Sequence, residues 1–170
     1  MTVDQRAVAA GAVCGVAAML ALLSLLYPHM PDPADSALVA VRLAYAAQWN
    51  AVAVLPLVAM FAAIGNARAF SEAIDPTLGK EDAKTLVNGR VAANTLEQTV
   101  LFLAGSMALA AAVTGSQVRI VGAAAITFCI MRIAFWIGYR IKPVYRAFGF
   151  ASCFYMNIGM LAAAVWLTLR

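Results

Sequence analysis

Residues 90 to 98 read Arg90-Val-Ala-Ala-Asn94-Thr-Leu-Glu97-Gln98 and lead directly into the apolar run from 99 to 113. Of the eight acidic residues in the chain, Glu97 is the one that falls outside every loop and tail. An ionised side chain in the middle of a bilayer costs about 3 kcal/mol or more unless it is paired. The stretch therefore predicts a membrane-spanning helix that carries a functional site at Glu97.

The composition of the whole chain indicates an integral membrane protein. Of its 170 residues, 64% are hydrophobic and 12% are charged, whereas a soluble domain is about half apolar and about a quarter charged. The length allows one domain, most of which is used by membrane spans. The net charge of +4 comes largely from Lys and Arg residues at the ends of apolar segments. Such residues are typical topology determinants, and we expect no nucleic-acid partner.

Five apolar segments are long enough to cross a hydrocarbon core of about 30 Å. They predict an all-α fold, an integral membrane helical bundle. A Pro-rich stretch at 28–33 ends the first segment, and Asn50 and Pro56 interrupt the second. The predicted spans are 7–27, 36–65, 85–113, 118–139 and 144–169.

The first segment has the position of a signal peptide. It is long for one, and the Pro-His-Met-Pro-Asp-Pro sequence that follows lacks the small-residue pattern of a cleavage site. We therefore expect a retained N-terminal helix and direct insertion into a plasma or inner membrane.

The distribution of Lys and Arg predicts the orientation. The loop at 66–84 and the junction at 140–146 carry most of the loop cations, whereas the loop at 28–35 carries none. By the positive-inside rule the first two face the cytoplasm. Arg42, near the outer end of the second span, is an exception to this pattern.

Several polar residues share helical faces at the predicted cytoplasmic ends. Arg90, Asn94 and Glu97 are spaced i, i+4 and i+7, which places them on one face of the third span. Arg132 and Tyr139 are seven residues apart and share a face of the fourth span. These spacings predict a half-buried cluster where the two spans meet.

Arginines outnumber the acid in this cluster, because Arg140 and Arg146 lie at the same cytoplasmic end. The guanidinium fork suits carboxylates and phosphates, so an anionic ligand or lipid is the natural missing partner. An alternative is that Glu97 pairs with Arg132 or Arg90 only to lock helices together. Asn50, Ser106 and Asn157 are expected to form hydrogen bonds between helices.

The cysteines and the histidine predict neither a disulfide nor a metal site. Cys14, Cys129 and Cys153 all lie in apolar segments without a CxxC pair, which indicates small buried hydrophobic residues. The single His29 lies in the Pro-rich loop, so a Ser-His-Asp triad has no support.

The same residues resemble a known family. The run Arg90-x3-Asn94-x2-Glu97, followed by Leu-Phe-Leu at 101–103, resembles the second-helix signature of the MAPEG superfamily, in the form found in its bacterial members. These are the membrane-associated proteins of eicosanoid and glutathione metabolism. The run Arg132-x6-Tyr139, with a Pro and an Arg soon after it, resembles the family's third-helix pattern.

The resemblance implies an architecture and an assembly. Residues 37–170 would form the family's four-helix transmembrane domain, and residues 1–36 would be an extra N-terminal transmembrane helix with an outer loop. The family fold implies a homotrimer in the bilayer. It also implies glutathione as co-substrate, bound between neighbouring subunits on the cytoplasmic side.

The resemblance also implies residue roles. Arg90, Asn94 and Glu97 would hold the charged ends of glutathione. Arg132 and Tyr139 would line the same pocket. Arg146 would stabilise the thiolate. The chain departs from the family at Ala92, where His or Gln is common, at Phe135, where His is common, and in the spacing between Pro143 and Arg146.

The function implied is a glutathione-dependent transferase or peroxidase that acts on lipophilic electrophiles in a bacterial inner membrane. The alternative is a non-catalytic member of the same fold that binds an anionic lipid or metabolite. Transport or proton relay is a third hypothesis, which we rank last because the spans contain one acid and no visible repeat.

Overall fold

The computed structural model describes residues 1–170, except for the side chain of Pro76. Within that description the chain forms five long helices, each long and apolar enough to cross a membrane. The predicted all-α membrane bundle is confirmed. The helices are α1 Val3–Leu26, α2 Val39–Ala69, α3 Ala83–Ala112, α4 Arg119–Ile141 and α5 Ala147–Thr168.

The connection between α2 and α3 is shorter than predicted, because both helices extend into the polar loop. Two short 3-10 turns fill the remainder, at Glu72–Ile74 and Pro76–Leu78. Asp82 then caps α3 by accepting a hydrogen bond from the backbone N–H of Thr85 at 2.7 Å. This cap fixes the first residue of α3, the helix that carries Glu97.

Helix α3 packs on α2, α4 and α5, and α4 packs on all four of the other helices. The predicted hydrogen bonds between helices are confirmed. Ser106 donates to Asn50 Oδ1 on α2 at 2.8 Å, and Asn157 on α5 donates to Gln98 Oε1 at 3.0 Å. These bonds hold α3 against α2 and α5.

Arg42 explains its exception to the charge pattern. It is 5% exposed and donates to four backbone carbonyls: Ser36, Ala37, Ala110 and Ala111, at 2.7–3.3 Å. Two of these belong to the C-terminal end of α3, where a cation is favoured by the unpaired carbonyls. Arg42 therefore ties the start of α2 to the end of α3.

The three cysteines differ in burial. Cys153 is buried as predicted, Cys129 is partly buried and Cys14 is exposed. The prediction is wrong for Cys14 because α1 packs against the bundle along a narrow stripe that buries Gly15 and Met19. The rest of α1 faces outward, where an apolar side chain meets lipid.

The short turn between α4 and α5 positions one end of the site. Lys142 leaves the helix in an extended conformation, and Pro143 opens the 3-10 turn Pro143–Arg146. This turn folds back against α4 at Gly138, where an added Cβ would lie 2.8 Å from the carbonyl oxygen of Tyr145. The close approach brings the side chain of Arg146 over α4.

Candidate functional site

A cleft of about 570 Å³ opens where α3, α4 and the Pro143–Arg146 turn meet, at the end predicted to face the cytoplasm. Its volume is within the range of small-molecule sites, about 300–1,000 Å³. Ten residues line it: Val8, Arg90, Asn94, Phe135, Tyr139, Pro143, Val144, Arg146, Ala147 and Phe150.

The wall formed by α3 is held from inside the protein. Arg132 on α4 is fully buried and donates from Nη2 to Asn94 Oδ1 at 3.0 Å. The same guanidinium donates to Thr95 Oγ1 from Nε at 3.2 Å and from Nη2 at 2.8 Å. Its Cζ also lies 4.1 Å from the centroid of the Phe135 ring. Hydrogen bonds to a charged group are strong, so Arg132 fixes the orientation of Asn94.

Asn94 stands between the buried cation and the acid. Its Oδ1 accepts from Arg132, and its Nδ2 donates to Glu97 Oε2 at 3.3 Å. Glu97 is exposed in the single chain. Within the described residues of the single chain, Glu97 forms a direct ion pair with neither Arg132 nor Arg90, and the ion pairs join other side chains.

The opposite wall carries Tyr139 and Arg146. Arg146 donates from Nη1 to the hydroxyl oxygen of Tyr139 at 3.0 Å, and its Cζ lies 5.1 Å from the centroid of that ring. The turn and the last helical turn of α4 thus present a guanidinium and a phenol together. Since the Tyr139 oxygen accepts from Arg146, its own O–H proton remains free to donate.

The structure brings four of the six residues singled out from the sequence into one cleft, namely Arg90, Asn94, Tyr139 and Arg146. Arg132 lies behind this lining, in contact with Asn94. Glu97 lies beside the cleft on the exposed face of α3.

The charge of the lining is positive. Arg90 and Arg146 contribute two guanidinium groups, and the described lining contains no acidic side chain. Two cations around a partly enclosed volume attract an anion, and the planar fork favours carboxylate or phosphate. The lining is otherwise apolar and aromatic, because Phe135, Phe150 and Tyr139 contribute rings.

Sequence reasoning missed Thr95 and Val8. Thr95 follows Asn94 directly and is fully buried, and a small hydroxyl beside a predicted site residue was the available signal. Val8 lies on α1, far from the motif in sequence, and no spacing rule connects it to the cleft.

Comparison with known proteins gives one match. The family model described as the MAPEG family matches residues 45–166. This range begins inside α2 and ends inside α5. Neither the curated proteins nor the solved structures gave a match.

Proposed function

Because this chain belongs to the MAPEG family, we propose that it is a membrane-bound, glutathione-dependent transferase or peroxidase that acts on lipophilic electrophiles. It is an integral, multi-pass membrane protein. Family members act in glutathione and eicosanoid metabolism, and the cleft supplies the features needed for a thiol tripeptide.

The observation that carries the proposal is the grouping of Arg90, Asn94, Tyr139 and Arg146 around one cleft. Glutathione has two carboxylates, one ammonium group and one thiol. Arg90 matches one of the carboxylates, because its fork can bind a carboxylate through paired N–H donors, and Arg146 is left to face the thiol. Asn94, held by Arg132, offers its remaining amide N–H to the peptide.

Arg146 and Tyr139 are the candidates for activating the thiol. A free cysteine thiol ionises near pH ~8.5, and an adjacent guanidinium lowers that pKa. Tyr139 donates its free O–H proton to the thiolate sulfur, while its oxygen stays bonded to Arg146. The thiol releases its proton to solvent, and the thiolate then attacks an electrophilic carbon: a C–S bond forms, the bond from that carbon to the leaving group breaks, and the leaving group departs with the electron pair of the broken bond.

The proposal includes a homotrimer with the site completed by a neighbouring subunit. Arg90 and Glu97 are exposed on α3 in the single chain, although this helix spans the membrane. A charge facing lipid is costly, and a neighbouring subunit would remove it from lipid. Glu97 would then face the ammonium group of glutathione or a cation of the neighbour. The positive-inside pattern supports a site on the cytoplasmic side of a bacterial inner membrane.

The test uses the purified protein in detergent. Glutathione binding is measured by calorimetry, and conjugation of a small aryl halide is followed by absorbance. We expect binding in the wild type and loss of conjugation in Arg146→Ala. Arg140→Ala is the matched control, because Arg140 is exposed at the same end but lies outside the lining. The absence of glutathione binding at millimolar concentration would overturn the proposal.

A second candidate function is binding of an anionic lipid headgroup without catalysis. It is favoured by the lining, which has two arginines and, in the described residues, no carboxylate to receive an ammonium group. This function predicts that phosphatidylglycerol stabilises the protein in nanodiscs and that glutathione does not. The enzyme proposal predicts the reverse.

A further inference from the structure

Helix α1 forms part of the cleft wall, although the family match begins only in α2. Val8 is 42% exposed and is one of the residues that line the cleft. A residue with this exposure on a helix of the bundle surface would ordinarily face lipid. Here part of the side chain faces the space between α1, α4 and α5.

The position of α1 is fixed by close contacts with α5. An added Cβ on Gly15 would overlap the backbone carbonyl of Phe148, so a larger residue would push the helices apart. Ser152 donates from Oγ to the carbonyl oxygen of Gly15 at 2.8 Å. Nearer the cytoplasmic end, Lys142 and Asp4 form an ion pair at 3.1 Å. Val8 lies between these two contacts along α1.

The lining of the cleft contains two chemically different sets of residues, called here its polar part and its apolar part. Its polar part contains Arg90, Asn94, Tyr139 and Arg146. In the proposed function this part binds the charged tripeptide. Its apolar part is built from α1, α5 and the connecting turn, with one ring from α4; these residues are Val8, Phe135, Pro143, Val144, Ala147 and Phe150. Phe135 and Phe150 offer aromatic surfaces, which favour a flat ring as occupant.

We propose that α1 lines a binding site for the apolar part of the second substrate, and that Val8 determines how large this apolar part can be. The substrate class is an aromatic lipophilic electrophile, entering beside α1 with its reactive carbon toward Tyr139 and Arg146. The reaction rests on the proposed function, but occupancy of the apolar part by an aromatic ring does not require a thiol.

The physical argument is one of volume. Val8 is the one lining residue contributed by α1 within the described cleft, so its side chain sets how much space remains between α1 and the rings opposite. One methylene more or less in an apolar pocket changes discrimination by about tenfold to 200-fold. A larger side chain at this position therefore excludes large rings before small ones, and leaves the polar part unchanged.

The test compares Val8→Trp and Val8→Ala with Val13→Trp. Val13 is 70% exposed on the same helix and lies outside the lining, so Val13→Trp adds the same indole without filling the cleft. We expect Val8→Trp to lower kcat/KM for a naphthyl halide at least about tenfold more than for a phenyl halide. Val8→Ala should shift the preference toward the naphthyl halide. The glutathione Kd should stay within about twofold in all three variants, since the polar part is untouched.

A second measurement does not depend on the reaction. A naphthyl azide is photolysed in nanodiscs with the wild type and the Trp variants, and labelled peptides are identified by mass spectrometry. We expect labelling of the peptide that contains Val8, reduced by Val8→Trp and retained in Val13→Trp. Labelling without any conjugation would remove the proposed function and leave the binding site standing. Equal labelling or equal substrate preference in both Trp variants would overturn the inference.

Discussion

The buried guanidinium of Arg132 donates through Nη2 to Oδ1 of Asn94, 3.0 Å away. An arginine can only donate, so the amide oxygen of Asn94 must point inward and its N–H groups must point toward Glu97 and the cleft. The bond therefore decides which atoms of Asn94 a ligand meets. In the proposed site, a residue with no surface exposure thus orients the side chain that a ligand would meet.

Replacing Arg132 with Met should weaken glutathione binding more than it weakens folding. The substitution frees Asn94 to rotate, and we expect the glutathione Kd to rise about tenfold, or about 1.4 kcal/mol. Asn94 Oδ1 and Thr95 Oγ1 lose their donor, but this cost in stability is partly offset, because an apolar side chain of similar length removes a buried charge that is itself expensive to desolvate. Calorimetry and thermal unfolding measure the two effects.

The conservative variant Arg132→Lys serves as the control for that prediction. It keeps the charge but loses the fork that reaches both Asn94 and Thr95. Binding should therefore fall in both variants. Loss of binding in Arg132→Met alone would show that charge, and not orientation of Asn94, is what matters.

Removal of the Tyr139 hydroxyl should change the pH dependence of the reaction. Tyr139→Phe keeps the ring beneath Arg146 but removes both the acceptor for its N–H and the donor to the thiolate. We expect the pH profile of kcat/KM to shift to higher pH, because a thiolate with one donor fewer forms less readily. Glutathione affinity near neutral pH should change little.

Tyr145→Phe is the matched control. Tyr145 is an exposed tyrosine of the Pro143–Arg146 turn and lies outside the lining of the cleft. Its pH profile should coincide with that of the wild type. A shift of equal size in both variants would remove the role assigned to Tyr139.

The sequence allowed the bundle and the shared face of α3 to be predicted because both follow from period and length. Five apolar stretches must cross the bilayer as helices, since the backbone has no water to bond there. Residues spaced like Arg90, Asn94 and Glu97 must lie on one face of such a helix. The expectation that Asn50, Ser106 and Asn157 form hydrogen bonds between helices follows from the same constraint, and the structure gives their partners.

The depth at which each side chain is buried, and the residue that it contacts, were not predictable in this way. Helical period places Arg132 and Tyr139 on one face of α4, but it does not say that one lies behind Asn94 while the other lines the cleft. That depends on how closely α3 and α4 pack. The contribution of Val8 depends on the close contact of Gly15 with α5, which no motif in the sequence records.

Substitution of Arg42 should lower stability without changing the site. Arg42→Met leaves four backbone carbonyls without their donor, and an unsatisfied buried polar group costs about 1–3 kcal/mol. We expect a fall of several degrees in the unfolding temperature and an unchanged glutathione Kd at lower temperature. Arg119→Met, which removes a single bond to the Ser116 carbonyl, should cost less.

Acidification should loosen the start of α3. Hydrogen bonds from the side chain and the backbone of Thr85 hold the pKa of Asp82 below its ordinary value of 3.8. Because the folded-state pKa is depressed, the cap stabilises the helix fully above 3.8 and is lost as the pH falls through the lower, folded-state value. Hydrogen-exchange protection factors at residues 83–86 should therefore drop in acid. Asp82→Asn keeps a capping oxygen but does not titrate, so its protection factors should not fall over the same range.

Neutralisation of Glu97 tests whether a second subunit faces it. Glu97→Gln retains an oxygen that can accept from Asn94, so the local hydrogen bond survives while the charge is lost. If the carboxylate meets a cation across an interface or the ammonium group of glutathione, we expect either a lower trimer fraction in native mass spectrometry or a glutathione Kd raised about tenfold. Glu81→Gln is the control, because Glu81 pairs with Arg68 within the chain and should leave both quantities unchanged. A Glu97→Gln protein with unaltered assembly and affinity would mean that this exposed carboxylate has no partner beyond Asn94.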